Sequence, residues 1–381
     1  MRILHVIDTL DPEMGGLPRA ALSLACAQAM SGHAVGILFY EHVSEQSGEG
    51  MGIPEVLQEA YGWMPGFEAV EKISMPRPSR ISWLLGCGIA ARIRAFAPEL
   101  LHTHGLWEPI LRHAHALAGA ADVPYVITPH GMMHPWQDPC YARLKWGLMH
   151  LLGWRRCWRR AAFAQALTEP EAAHLRHRRC FAQVCVIPNG IFLQEADQEG
   201  PLPACFGLGP FVLFLGRLAK GKGPDLLLEA FGKIAGDFPD HRLVLAGPDY
   251  GMGAWLQARA ASMGLRQRVC FPGQLQGGEK WAALREAACF CMPSRAEGFG
   301  LSLLEAGLAG TPILQSEACW FRGLVGEGGA VVFPLTVTDF AAALAEVLEN
   351  PTPHAAETVI REKYTWPRVA ARFDEEFQRV F

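Results

Sequence analysis

The stretch from Pro293 to Pro312, Pro-Ser-Arg-Ala-Glu-Gly-Phe-Gly-Leu-Ser-Leu-Leu-Glu-Ala-Gly-Leu-Ala-Gly-Thr-Pro, restricts the fold of this chain more than any other. An apolar run, Ala287 to Met292, stops at a proline, a Gly-Phe-Gly turn follows, and Leu301 to Leu308 reads as a short apolar helix. The pattern predicts a strand, a loop and a buried helix. The helix N-terminus, with its free N–H groups and positive dipole end, then leaves the carboxyl edge of a sheet. An anion binds well there against glycines that let it come close. Two carboxylates bracket the loop, Glu297 before it and Glu305 inside the helix, with seven residues between them. An ionised carboxylate only accepts hydrogen bonds and needs partners when buried, and ligand hydroxyls are good ones. The ligand suggested carries both phosphate and hydroxyls.

A chain of 381 residues is too long for one ordinary core and predicts two domains of similar size. Half the residues are apolar and the net charge is −4, which describes a globular protein with no general nucleic-acid footprint. No apolar stretch reaches membrane-spanning length and the first residues go straight into a strand, so a cytoplasmic location is expected. The 11 cysteines are scattered through apolar stretches without a Cys-x-x-Cys, which fits reduced, buried thiols. Neither Cys180 with Cys185 nor Cys289 with Cys291 has a second pair or a histidine at zinc spacing, so no metal is expected.

Strands and helices alternate along the chain, the signature of a parallel α/β layout. Arg2 to Asp8 is a short apolar run of the buried-strand kind, followed by a loop with Gly15 and Gly16 and a helical stretch from Ala20 to Met30. Strand, glycine loop, helix is the geometry of a phosphate-binding turn, but neither Gly-x-Gly-x-x-Gly nor a P-loop lysine is present. Further strands are expected to end near Tyr40, at Leu100 to His104 and at Pro124 to Thr128. Ligands sit at the ends of parallel strands, so His104, Trp107 and His130 are candidates to face one. The region from Ser44 to Ser79 has mixed signals and receives no assignment. Thr168 is an expected N-cap, Gln183 to Ile187 a strand, and the aperiodic Ile191 to Gly209 a linker.

A second β/α series opens with Phe211 to Leu215 and the loop Gly216-Arg217-Leu218-Ala219-Lys220-Gly221-Lys222-Gly223. Cations on a glycine-rich loop at a strand end make an anion site, Arg as a bidentate fork and Lys as a point charge. Helix is expected at Asp225 to Ala235, Trp255 to Met263, Asp339 to Leu348 and in the tail, and strand at Arg242 to Ala246 and Val269 to Gly273, while Glu279 to Ala288 leads back to the Pro293 stretch. Tyr141 to Ala162 stands apart: Arg143, Lys145, Arg155, Arg156, Arg159 and Arg160 interleave with Trp146, Trp154 and Trp158, and no acidic residue occurs between Asp138 and Glu169. Such a helix can lie on an anionic membrane, through Trp154, Arg155, Arg156, Trp158, Arg159 and Arg160, or pack with a solvated basic face.

Glu297, Gly298, Phe299, Gly300, Glu305, Ala306, Gly310 and Pro312 match in register the signature of the retaining, nucleotide-sugar-dependent glycosyltransferases of family 4, and the chain resembles them over nearly its whole length. The resemblance implies the GT-B fold, two Rossmann-like domains with parallel sheets facing a central cleft. Residues 1–195 would bind acceptor, 205–360 would bind the nucleotide sugar, and a helix within 365–381 would pack back onto the first domain. It implies transfer of a hexose from a UDP- or GDP-linked donor, with retention, to a hydroxyl of a glycan or lipid-linked acceptor, in cell-surface polysaccharide synthesis.

By the same resemblance Arg217 and Lys222, with Lys220 as a competitor, hold the donor diphosphate beside Gly216 and the Gly300 helix end. Glu297, with Gly298, Phe299, Gly300 and Leu301, holds the donor sugar, and Glu305 the ribose. His130 would sit near the reacting sugar, Gly15 and Gly16 would approach donor and acceptor, and His104 and Trp107 would serve the acceptor. Catalysis would rest on Glu297, His130, Arg217 and Lys222, with no metal cofactor because fixed cations take the part of Mg²⁺. Ser316 to Val325 departs from the family's Gly-Gly-x-Pro-Glu element, which leaves donor and acceptor specificity open. Other readings are a nucleotide-sugar epimerase, a glycosyl phosphorylase, or a non-catalytic sugar-nucleotide-binding subunit.

Overall fold

Short, mostly apolar runs form thirteen strands among the described residues, and every ladder between them is parallel. The computed structural model describes residues 1–41, 53–77, 88–135, 147, 149, 151, 153–207, 209–326 and 328–380. The chain divides into two units, Met1–Phe192 with Trp366–Phe381, and Leu193–Thr365.

The first unit holds β1 (Arg2–Val6), β2 (Ala34–Glu41), β3 (Val70–Pro76), β4 (Leu100–His104), β5 (Tyr125–Thr128), β6 (Phe163–Ala166) and β7 (Val184–Val186). Their order is β3-β2-β1-β4-β5-β6-β7. Central strands are buried on both faces, which is why β1 is apolar at Ile3, Leu4 and Val6 and buries His5 among them. The order reverses between β1 and β4, and ligands of such sheets bind outside the carboxyl ends at this point. The last helix, Trp366–Val380, buries Trp366, Val369, Ala370, Phe373 and Phe377 along one stripe. Phe373 packs on Phe163 and on His102, with centroids 6.3 and 5.2 Å apart, so the end of the chain is part of this core. Truncating Phe373 to Ala is expected to cost about 3–5 kcal/mol.

The second unit holds β8 (Phe211–Leu215), β9 (Arg242–Ala246), β10 (Val269–Cys270), β11 (Cys289–Met292), β12 (Ile313–Ser316) and β13 (Val331–Phe333) in the order β10-β9-β8-β11-β12-β13. The reversal falls between β8 and β11, so the two loops singled out in the sequence leave adjacent strands at the same edge.

Three differences from the sequence expectation have physical reasons. The first helix starts at Gly16, not Ala20, because a proline in the first turn (Pro18) gives up only an N–H that has no intrahelical partner there. The unassigned region contains a helix, Ile53–Tyr61, and the edge strand β3; residues 42–52 and 78–80 lie outside the described residues. As an edge strand β3 carries exposed Glu71 and half-buried Lys72, which dilute the apolar signal. The expected linker contains two 3₁₀ turns, Leu193–Asp197 and Ala204–Phe206.

The basic segment corrects the expectation that its tryptophans face a membrane. Arg143, Lys145 and Trp146 lie outside the described residues, and Trp154–Arg160 is a helix whose two tryptophans face inward, 3% and 1% exposed. Trp158 stacks on Phe181 and meets Trp107 edge-on. These tryptophans belong to the core and are not available to a bilayer, whereas Arg155, Arg156, Arg159 and Arg160 are exposed. Among the described residues no helix is long and apolar enough to cross a membrane.

Candidate active site

In the second unit the loop after β8 passes Gly216 and the exposed Arg217, turns once through a 3₁₀ helix at Lys220–Lys222, and enters the helix Pro224–Ile234 at Gly223. Gly223 has φ +74°, and a Cβ there would lie 2.1 Å from the Pro293 carbonyl oxygen, so glycine alone lets the β8 and β11 loops touch. The contact brings Lys222 Nζ to 2.5 Å from Glu297 Oε2, with the two side chains 29% and 13% exposed. A cation and a carboxylate stand side by side, both within reach of a ligand.

Arg295 holds this contact in place. Its guanidinium donates two bonds of 2.8 Å to the Asp225 carboxylate and one of 2.6 Å to the Lys220 carbonyl, and its backbone N–H donates to Gly221. A bidentate Arg–carboxylate pair fixes orientation as well as distance. Neither Arg295 nor Asp225 was picked out as a site residue by sequence reasoning. The available signal was an arginine two positions before Glu297 and an aspartate in the first turn after the cationic loop.

Glu297 is also held through its backbone. Its N–H donates to Ala318 and its carbonyl accepts from Trp320, a parallel bridge to the segment that departs from the family pattern. Ser316 Oγ donates to the Ser294 carbonyl, and Cys319 is buried, its thiol pushed up to about 12 by desolvation and then by the Glu297 charge. The divergent segment therefore braces the carboxylate.

Phe299 is buried against Phe321, ring centres 4.3 Å apart. With half-buried Gly298 it leads to Gly300, φ +76°, which heads the helix Leu301–Leu308. Leu301 is half-buried at that helix start. Glu305 is 4% exposed and lies 2.8 Å from Lys280 Nζ of the helix Gly277–Glu286, a partner the sequence did not announce. Arg217 lies with its guanidinium 5.1 Å from the Tyr250 ring centre. Fixed cations, a helix N-terminus and two carboxylates at one sheet edge can stabilise a departing diphosphate and accept hydrogen bonds from sugar hydroxyls.

The remaining candidates belong to the first unit. Gly15, φ +91°, caps the helix that begins at Gly16, and both residues are exposed beyond β1. His130 follows β5 with φ +52°, a left-handed conformation uncommon for a residue with a side chain. Buried Glu171 stabilises that turn, accepting the N–H of Gly131 at 2.8 Å and of Leu167 at 2.7 Å, and desolvation holds its carboxyl above the usual range. His104 is corrected: it is 2% exposed and both ring nitrogens bond to protein, Nε2 with His5 and Nδ1 with His130, so it has no nitrogen left for an acceptor. Trp107 is half-buried, with one edge packed on Trp158.

Two family models match the chain, one described as Glycosyltransferase Family 4 over residues 14–195 and one as Glycosyl transferases group 1 over residues 207–365. The phosphatidyl-myo-inositol mannosyltransferase of Mycobacterium leprae is 33% identical over 202 residues, 51% of this chain and 53% of that protein. The chain thus spans about half the length of the curated mannosyltransferases it matches. The glycogen synthase of Mycobacterium tuberculosis is 27% identical over 411 residues, 97% of this chain and 92% of that protein. Among solved structures, Anabaena HepE in complex with UDP-glucose has a TM-score of 0.75 at 17% identity and covers 100% of both chains, a likeness of fold. With both family models matched and the parallel sheets of the GT-B fold in place, the chain belongs to the group 1, family 4-like glycosyltransferases.

Proposed function

We propose that this glycosyltransferase moves a hexose from a UDP- or GDP-linked donor to a hydroxyl of a glycan or lipid-linked acceptor, with retention at the anomeric carbon, in the synthesis of a cell-surface polysaccharide. The observation that carries the reading is the Lys222–Glu297 pair at 2.5 Å. In the free protein the two charges satisfy each other. A nucleoside diphosphate sugar offers each a better partner: its diphosphate oxygens take Lys222, and its sugar hydroxyls donate to Glu297.

Arg217 and the Gly300 helix end join Lys222 in stabilising the diphosphate as the glycosidic bond breaks, and Glu305 accepts from the ribose hydroxyls. Fixed cations make a metal unnecessary. His130 serves the reacting sugar, beside Gly15 and Gly16. The mannosyl transfer in the name of the mycobacterial relative, and the UDP-glucose bound to HepE, favour a hexose on a nucleoside diphosphate. The exposed arginines of Trp154–Arg160 supply an electrostatic attraction to an anionic membrane face.

The test is turnover of UDP- and GDP-hexoses with a panel of glycan and lipid-linked acceptors, the product anomer read by proton NMR. Transfer with an unchanged anomer is expected. An inverted anomer, or release of nucleotide with no transferred sugar from any donor, contradicts the proposal.

A further inference from the structure

Gln28, His5, His104 and His130 form one line of hydrogen bonds that runs from the helix Gly16–Met30 through β1 to the carboxyl end of β4 and the turn after β5. His5 Nε2 lies 2.7 Å from Gln28 Oε1, His5 Nδ1 lies 2.9 Å from His104 Nε2, and His104 Nδ1 lies 3.0 Å from His130 Nε2. The first three side chains are buried, and the line reaches half-buried His130 at its far end.

We infer that Gln28 sets the tautomer of His130 through His5 and His104, so that His130 presents a bare Nδ1 and acts as a hydrogen-bond acceptor. The amide oxygen of Gln28 only accepts, so His5 carries its proton on Nε2. A neutral imidazole has one N–H, so His5 Nδ1 is bare and accepts from His104 Nε2. The same step makes His104 Nδ1 bare, and it accepts from His130 Nε2. One orientation at Gln28 therefore fixes three rings, the logic by which a partner on one ring nitrogen selects the role of the other. Burial keeps the rings neutral: desolvation lowers His5 to about 4 and His130 to about 3, and it lowers His102 and His104 well below the ordinary value.

His102 stands outside the line. Thr128 gives its hydroxyl proton to Gln165, so it accepts from His102 Nε2 at 2.7 Å. His5, His102 and His104 also come close enough to suggest metal ligands. Their ring planes are within 32° of parallel, however, which sets the in-plane lone pairs side by side and not toward a common point. Gln28, His5 and His104 are thus positioning residues, and only His130 is placed to touch substrate. That last contact, with a hydroxyl of the sugar or acceptor, rests on the proposed function; the tautomer does not.

The test is two-bond ¹⁵N–¹H correlation NMR of the full chain labelled with ¹⁵N-histidine, which identifies the bare nitrogen of each ring. The wild type is expected to show His130 protonated on Nε2 alone. Gln28→Leu and His104→Phe, two independent breaks in the line, are expected to give both His130 tautomers, while Thr128→Val, off the line, leaves the single tautomer. A His130 protonated on Nδ1 in the wild type overturns the inference. So does a single Nε2–H tautomer that survives both breaks, or one lost equally in Thr128→Val. A failed donor-binding assay would remove the substrate role and leave the tautomer result standing.

Discussion

Lys222 and Glu297 stand 75 residues apart in the chain, and their side chains meet at 2.5 Å. They meet because β8 and β11 are neighbours in the sheet and because Gly223 lets the two following loops touch. Each charge is therefore held by the other.

Removing either member should abolish turnover without unfolding the protein. Lys222→Ala and Glu297→Ala are each expected to lower kcat by about 10²–10³-fold, the scale seen when one charge-stabilising donor is lost. Steady-state kinetics with circular dichroism checks this. Wild-type-like rates in either variant would remove the pair from the site.

Arg295 should matter without touching substrate. Arg295→Ala leaves buried Asp225 without its guanidinium partner and frees the carbonyl of Lys220, so a stability loss of about 3 kcal/mol is expected. The donor KM should rise as Lys222 loses its fixed position. A double-mutant cycle with Asp225→Ala measures the coupling, and additive losses would show that the clamp is not real.

The buried histidines predict acid sensitivity. An unfolded imidazole takes up its proton near 6.5, but folded His5 does so only near 4 and His130 near 3. Between these values the unfolded state binds more protons, so stability is full above pH 6.5 and falls as the pH drops, by roughly 1.4 kcal/mol per histidine per pH unit. Hydrogen exchange of the β1 and β4 amides between pH 6.5 and 5, above the carboxylate range, reads this out. Flat protection corrected for intrinsic exchange would contradict it.

Much of this architecture is legible in the sequence because buried parallel strands are short apolar runs; β4, β8, β9 and the helix Leu301–Leu308 fall where the pattern puts them. The Glu297 to Glu305 spacing is equally plain. The clamp from Arg295 to Asp225 and the line from Gln28 to His130 are not. They join residues 70, 23, 99 and 26 positions apart, and such pairings are created by strand order, which no local pattern records. The basic helix shows the opposite failure: alternation of Trp and Arg looks membrane-facing until helical spacing turns Trp154 and Trp158 to the same inner side.

The arginine face and the tryptophans should separate experimentally. Arg155, Arg156, Arg159 and Arg160 changed together to Ser are expected to weaken salt-sensitive binding to anionic vesicles, while Trp158→Ala loses about 3–5 kcal/mol of stability. Flotation assays with neutral vesicles as control decide the first part. Equal binding by the two proteins would end the electrostatic membrane proposal.

The donor site is tested most directly by thermal shift with UDP-, GDP- and ADP-sugars, in EDTA, on the wild type and on Arg217→Ala, since a ligand that binds only the folded state raises the midpoint by mass action. A rise with one nucleotide class, unaffected by the chelator and lost in Arg217→Ala, is the predicted result. No rise with any of them, or a rise that Arg217→Ala retains in full, would contradict a metal-free diphosphate site built on the β8 and β11 loops.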